Sequence, residues 1–187
     1  MSNLLTDYHF NAFGRITYGY AHIETGIKIA MAGILQVSLH DILVLTAPYS
    51  ARNLKDAAKA ASKDHLKQPH QDTMIQIIGD WSAISRIRNH IAHNRWAEGT
   101  RTGAIKPMYY SISDGKTRTF GDDDTESDYT PDDLHMVMKT LEDTNQRLKN
   151  FLKETGLAES IERKMADDSS AILESRGLEH PQSSSST

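Results

Sequence analysis

The sequence predicts an all-α fold, a bundle of four to five helices with a small β-hairpin inserted between the third and fourth main helices. Apolar residues recur at three- and four-residue spacing along several long segments, which is typical of amphipathic helices. One Asp-Gly pair stands between two short β-prone runs and is a favoured two-residue hairpin turn. A chain of 187 residues is long enough for one domain with its own core.

The first helix is predicted from Asp7 to about Leu35. It carries an apolar stripe formed by Phe10, Phe13, Ile16, Tyr20, Ile23, Ile27, Met31 and Ile34. Three glycines are expected to kink or weaken it, namely Gly14, Gly19 and Gly33.

Two further helices follow. Ser50 is an N-cap residue for a second helix from Ala51 to Lys63, which is polar enough to lie on the surface. The third helix is predicted from near Asp72 to near Gly99, and it has the strongest apolar periodicity in the chain.

The hairpin is predicted at about residues 106–120, with Asp114 and Gly115 at its turn. The acidic run GDDDTESD that follows, residues 121–128, is predicted to be a solvated loop. It lacks the glycine and the terminal glutamate of an EF-hand calcium loop.

A fourth helix is predicted to begin after the N-cap Thr130, with Pro131 at its first position and Asp133 in an acidic first turn. It is predicted to end near Gly156. The helical domain is therefore assigned to residues 1–157. An accessory C-terminal helix is predicted at 158–175, and a disordered low-complexity tail at 176–187.

Composition excludes several classes of chemistry. The chain has no cysteine, which removes disulfides, thiolate catalysis and cysteine-ligated zinc and suits a reducing cytoplasm. No apolar run is long enough to span a membrane and no signal peptide is recognisable, so we expect a cytoplasmic protein with no membrane partner. The net charge of −4 argues against a basic nucleic-acid-binding domain as a whole.

Charge is distributed unevenly, however. The segment from Arg86 to Lys106 contains five basic residues and one acid, Glu98, so it could hold a phosphate group. At about 100° per residue, Arg88 projects from the apolar face of the third helix, where a guanidinium must be paired. Glu24 lies in the apolar stripe of the first helix, so we predict a Glu24–Arg88 ion pair. A purely structural pair that locks the core is an alternative interpretation.

A second polar sector of the third helix groups Arg86, Asn89, His90 and His93. Histidine transfers protons near neutral pH, and the arginine fork matches phosphate oxygens, so the combination suits phosphodiester cleavage. In RNA the 2′-hydroxyl of the substrate can be the nucleophile. Neither a metal nor another cofactor is expected, since nearby positive charge repels a cation and no acid follows at metalloprotease spacing.

The run from Arg88 to His93, RNHIAH, has an arginine, a polar residue and a histidine after four intervening positions. It resembles the signature of the HEPN superfamily, whose domains are all-α bundles of four or five helices found in toxins, abortive-infection proteins and RNA-targeting CRISPR effectors. The resemblance implies that Arg88 contacts the scissile phosphate, that His93 is the acid or base, and that Asn89 orients them. Glu24 would be their buried acidic partner.

The resemblance also implies a homodimer whose two motifs converge on one RNA cleft, with metal-independent cleavage that leaves a cyclic phosphate. A toxin–antitoxin or phage-defence role follows, with a cognate antitoxin or regulator as a possible partner. The alternative is a non-catalytic HEPN module that binds RNA, a nucleotide or a partner protein.

Two departures from the family pattern concern the site. One HEPN toxin group has a tyrosine two residues after the histidine, which a partner nucleotidyltransferase modifies with AMP; this position is Arg95, which we instead expect to bind substrate. An ideal helix also separates Arg88 and His93 by about 140°, whereas Arg86 shares a face with His93. Arg86 and His90 therefore remain supporting candidates.

Overall fold

The structure is a computed structural model that describes residues 4–113, 116–120, 128–157 and 159, with residues 109–113 and 116–120 described as backbone. Its helices are α1 (Asp7–Leu35), α2 (Leu39–Thr46), α3 (Ala51–His65), α4 (His70–His93) and α5 (Pro131–Glu154). Its strands are β1 (Arg95–Glu98), β2 (Ile105–Ser113) and β3 (Lys116–Phe120). The predicted all-α fold with a hairpin between the third and fourth main helices is confirmed, and the short α2 is an additional helix.

Helices α1, α3, α4 and α5 pack around one core, with α1 in contact with each of the other three. The apolar stripes predicted for α1 and for the third and fourth main helices supply most of it. The largest fully buried side chains include Ile16, Ile23, Ile27, Met74, Ile77, Trp81, Leu134 and Phe151. No helix in the described ranges combines the length and the apolarity that crossing a bilayer requires.

Close packing of α1 against α5 depends on glycine. The facing pairs are Gly19 with Leu141 and Gly26 with Leu148 of α5, and Gly33 with Leu157, which lies three residues beyond the end of α5. A Cβ placed on Gly33 would lie 2.9 Å from Leu157 Cδ2, and one on Gly26 would overlap Leu148 Cδ2. Helix α1 continues unbroken over 29 residues. Gly19 and Gly33, which we expected to kink or weaken the helix, therefore serve to admit leucine side chains.

Two predicted helix starts are confirmed by their caps. The Ser50 hydroxyl accepts a hydrogen bond from the Asn53 N–H at 3.2 Å and caps α3. At the start of α5, the Thr130 hydroxyl accepts from the Asp133 N–H at 3.2 Å, and the Asp133 carboxylate accepts from the Thr130 N–H at 2.9 Å. This reciprocal capping box satisfies two backbone donors that the first helical turn leaves without partners.

The third main helix differs most from its prediction. Helix α4 ends at His93, and not near Gly99, because Asn94 has an extended backbone with φ −111° and ψ 155°. Residues 95–98 then form β1, which pairs antiparallel with the first half of β2. The strand conformation brings the Trp96 ring to 4.8 Å from the Phe13 ring, so it allows a large aromatic side chain to pack on the core.

The predicted hairpin is confirmed as the pairing of β2 with β3, in which Ser113 faces Lys116. The turn residues Asp114 and Gly115 lie outside the described residues, as do residues 121–127, residues 160–187 and position 158. The acidic run was predicted to be solvated, but its last member, Asp128, is buried. Its carboxylate accepts hydrogen bonds from the Thr100 N–H and hydroxyl, both at 2.6 Å, and from the Arg101 N–H at 2.9 Å.

Candidate functional site

The guanidinium of Arg88 lies over an aromatic ring of the neighbouring helix. Its carbon is 5.5 Å from the centroid of the Tyr20 ring, and Tyr20 in turn stacks on Trp81 at 5.0 Å. One N–H of Arg88 donates to the Asn89 side-chain oxygen at 3.2 Å. A cation–π contact and an adjacent amide therefore fix the position of this partly buried cation.

The predicted Glu24–Arg88 ion pair is not formed among the described residues. The Glu24 carboxylate instead accepts a hydrogen bond from Lys28 Nζ, one turn further along α1, at 2.8 Å. Burial first and the Glu24 carboxylate second raise the pKa of Tyr20 to about 12, while Arg88 acts in the opposite direction. Glu24 and Arg88 thus both lie near Tyr20 without pairing with each other, and Lys28 is the cation that pairs with the Glu24 carboxylate.

As a consequence, Arg88 is a partly buried cation that has no carboxylate partner within the described part of the chain. Removing a charge from water costs free energy that a counter-ion normally offsets. The Tyr20 ring offsets part of that cost, but the remaining N–H groups of the guanidinium can still bind an anion. This is the property expected of a phosphate-binding arginine.

His93 is the last residue of α4 and is exposed to solvent. Its side chain makes no hydrogen bond or ion pair with any residue that the structure describes. It lies five positions after Arg88 along the helix, which corresponds to a rise of about 7.5 Å and a rotation of about 140°. The end of α4 is not loosened, since the Asn94 N–H still donates to the His90 carbonyl at 3.0 Å. One copy of the chain therefore presents the two side chains on different sides of α4.

The two supporting candidates on α4 lie closer to α5. Asn94 donates its side-chain amide to Nδ1 of His90 at 2.8 Å, and the His90 ring lies 6.4 Å from the Tyr129 ring. Burial first, and the charge of Arg86 second, lower the pKa of His90 and favour its neutral form. Arg86 is exposed and lines a groove of about 320 Å³ between α4 and α5 together with Tyr129 and apolar residues. Arg88, Asn89 and His93 do not line this groove.

The segment from Arg86 to Lys106 presents less positive charge at the surface than its five basic residues suggest. Arg101 pairs with Asp133 at 2.6 Å and also donates to the Asp128 carbonyl. Lys106 is buried. Besides the paired Arg101, the exposed or partly exposed cations of this segment are Arg86, Arg88 and Arg95, of which Arg95 is exposed at the start of β1, two residues beyond His93.

Sequence reasoning missed three residues that shape the site: Tyr20, which lies under Arg88; Asn94, which bonds to His90; and Tyr129, which packs against Trp96. Tyr20 was assigned only to the apolar stripe, although it stands one turn before Glu24 and so beside the expected partner of Arg88. No cluster of three or more histidine or carboxylate side chains suited to a metal ion occurs in the described ranges.

No protein-family model matches the chain, and neither a curated protein nor a solved structure is significantly similar to it. The likeness to the HEPN superfamily therefore depends on the residues from Arg88 to His93 and on the order of the helices.

Proposed function

We propose that this protein is a metal-independent endoribonuclease of the HEPN type, active as a homodimer. The observation that carries the proposal is the partly buried Arg88, which has no carboxylate partner in the described part of the chain and lies five residues before the exposed His93. A guanidinium without a counter-ion is suited to bind a phosphate, and an accessible imidazole is suited to transfer a proton.

Arg88 would bind the scissile phosphate. Its fork is held on one side by the Asn89 side-chain oxygen and from below by the Tyr20 ring. Both contacts reduce the freedom of the side chain without neutralising its charge. Asn89 is accordingly assigned the role of orienting Arg88, and the N–H groups that have no partner among the described residues would stabilise the charge that develops on the phosphate oxygens.

His93 would act on the proton of the ribose 2′-hydroxyl. Neutral imidazole removes that proton, the 2′ oxygen attacks phosphorus, and the bond from phosphorus to the 5′ oxygen breaks. The leaving 5′ oxygen takes a proton from an imidazolium, so the products are a 2′,3′-cyclic phosphate and a 5′-hydroxyl. This reaction uses the nucleophile of the substrate and requires no cysteine or bound cofactor.

A second copy of the chain would complete the site. Since Arg88 and His93 leave one α4 helix about 140° apart, a single copy does not direct both at one phosphate. In a symmetric dimer, the arginine of one copy and the histidine of the other can face the same phosphate. Arg95, exposed next to His93, is assigned to the RNA backbone, and Arg86 and His90 have supporting roles.

The test is RNA cleavage in the presence of EDTA by the purified protein. Wild type should cleave single-stranded RNA and leave cyclic phosphate ends. Arg88→Ala and His93→Ala should each lose about 100-fold or more in rate, the contribution typical of positioned acid–base groups and charge stabilisers. His135→Ala, which removes an exposed histidine from α5, is the matched control and should cleave as wild type. Undiminished cleavage by His93→Ala would contradict the assignment.

The second candidate is a non-catalytic HEPN module that binds RNA, a nucleotide or a partner protein at Arg88. It is favoured by the separation of Arg88 from His93 within one copy. Such a module would bind RNA without cleaving it, lose binding in Arg88→Ala and keep it in His93→Ala. Over-expression separates the two functions in cells, because a nuclease acting alone would arrest growth. A toxin–antitoxin or phage-defence role in the cytoplasm, with a cognate antitoxin or regulator, belongs to the nuclease proposal.

A further inference from the structure

Helix α2 exposes most of its aliphatic side chains. Leu43, Val44 and Leu45 are 43%, 57% and 61% exposed, and Tyr49, three residues beyond the helix, is 43% exposed. Only Ile42 and Thr46 of this helix are buried. Four large exposed apolar side chains within seven residues of the chain differ from the isolated apolar residues that a protein surface normally carries.

The exposed residues of α2 do not form a single stripe. Because consecutive helical residues point about 100° apart, Leu43, Val44 and Leu45 face three different sides of the helix. A flat protein surface would cover one of these sides and leave the others in water. A lipid bilayer interface would surround the tip of the helix and cover all three.

Helix α3 follows α2 after four residues and carries a row of cations: Arg52, Lys55, Lys59 and Lys63. Their spacing places them within a sector of about 80° along the helix. None of the four forms an ion pair with a residue that the structure describes. Asp56 lies next to the edge of this sector, and Asp64 lies on a different side of the helix, about 140° from the centre of the sector. Unpaired cations in a row attract an extended anionic surface.

We propose that α2 and the basic sector of α3 attach the protein to the surface of an anionic lipid bilayer. Leu43, Val44 and Leu45 enter the boundary between head groups and acyl chains, and the Tyr49 ring lies at the head-group level. The four cations of α3 meet the anionic head groups. This is attachment to one leaflet, so it requires no spanning helix. The expectation of no membrane partner came from the lack of a spanning segment and of a signal peptide, and neither feature is needed for such attachment.

Other occupants fit these residues less well. A second copy bound through the same surface would bring the cations of two α3 helices together, and like charges repel. Nucleic acid would use the cations, but aliphatic side chains neither stack on bases nor form hydrogen bonds with them. Asp41 is exposed in the first turn of α2, which limits insertion to the second turn, where the three aliphatic residues lie.

The test is co-sedimentation of the full chain with vesicles of phosphatidylcholine alone or mixed with phosphatidylserine. We expect binding to the mixed vesicles that weakens as salt is added. The triple change Lys55→Gln, Lys59→Gln, Lys63→Gln should lower the partition coefficient about 100-fold, since each cation near such a surface contributes about a factor of five. The triple change Leu43→Ser, Val44→Ser, Leu45→Ser should lower it at least about tenfold.

The matched control is Lys139→Gln, Lys149→Gln, Lys153→Gln on α5, which changes the net charge equally on exposed positions of another helix. It should bind mixed vesicles nearly as wild type does, and circular dichroism checks that each variant is folded. The proposal is overturned if mixed vesicles do not bind the protein, or if the α2 changes leave binding unaltered. Loss of self-association or of RNA binding, in place of vesicle binding, on changing these residues would also overturn it. None of these outcomes depends on ribonuclease activity.

Discussion

Two histidines are placed where protonation opposes folding. Burial lowers the pKa of His9, whose Nδ1 accepts a hydrogen bond from the Thr6 N–H at 3.1 Å, and burial together with Arg86 lowers that of His90. Both groups bind a proton more readily in the unfolded chain, where the ordinary pKa is 6.5. Their contribution to stability is therefore present above pH 6.5 and is lost as the pH falls through the lowered values.

We accordingly expect the urea concentration at the midpoint of unfolding to decrease as the pH is lowered from 7.5 to about 5.5. Asp128 and Asp133 add no pH dependence in this range, because hydrogen bonds lower the pKa of each despite burial and both carboxylates therefore stay ionised down to a more acidic pH. The double variant His9→Gln, His90→Gln is the control and should show a flatter dependence on pH. An equal slope for wild type and variant would refute the assignment to these two histidines.

The candidate site was predictable in part at the level of residues. Helical periodicity placed Arg88 on the inner side of α4 and His93 elsewhere, and the structure agrees on both. The partner of Arg88 was not predictable in the same way. Sequence spacing shows that Glu24 shares a face with Tyr20, but not that the Lys28 ammonium reaches the carboxylate or that the ring lies beneath the guanidinium. Such competition between neighbours depends on side-chain conformations.

At the scale of elements, the approach of α1 to α5 yields a prediction about Gly26. Replacing Gly26 with alanine should destabilise the protein by about 1–3 kcal/mol, because the new Cβ overlaps Leu148 in a packed interface. Gly14 is the matched control in the same helix, since no atom lies within 4 Å of a Cβ built there. Gly14→Ala should stabilise by about 0.5–1 kcal/mol through helix propensity. Urea unfolding measures both, and equal effects would contradict the packing argument.

Elements with strong local signals were predictable, and those fixed by distant contacts were not. Apolar periodicity was sufficient to predict α1. The N-cap residue Ser50 marked the start of α3, and the Thr130 capping box marked the start of α5. Helix α2 escaped prediction because its consecutive aliphatic residues lack amphipathic spacing. The sequence predicts helix where the structure has strand β1, because the contacts that fix the strand are not local. Its pairing partner, β2, begins seven residues later, and Phe13, on which Trp96 packs, lies far away in the sequence.

At the scale of the whole molecule, a shared site between two copies predicts complementation. Arg88→Ala and His93→Ala should each be inactive alone, and a refolded equal mixture should recover about a quarter of wild-type cleavage. Half of the dimers then contain one copy of each variant. In such a dimer one of the two sites has both Arg88 and His93, and the other site has neither. A mixture of Arg88→Ala with the double variant should stay inactive. No recovery in the first mixture would show that one copy supplies both groups.

The Asp128 carboxylate joins two distant parts of the chain. It holds Thr100 and Arg101, and Arg101 reaches Asp133 in the first turn of α5, so the segment that follows β1 is fastened to the start of α5. His93 therefore stands between a regular helix on one side and an anchored strand on the other. The backbone that carries its imidazole is ordered when the chain folds, so a ligand that reaches His93 does not bear the entropic cost of ordering it.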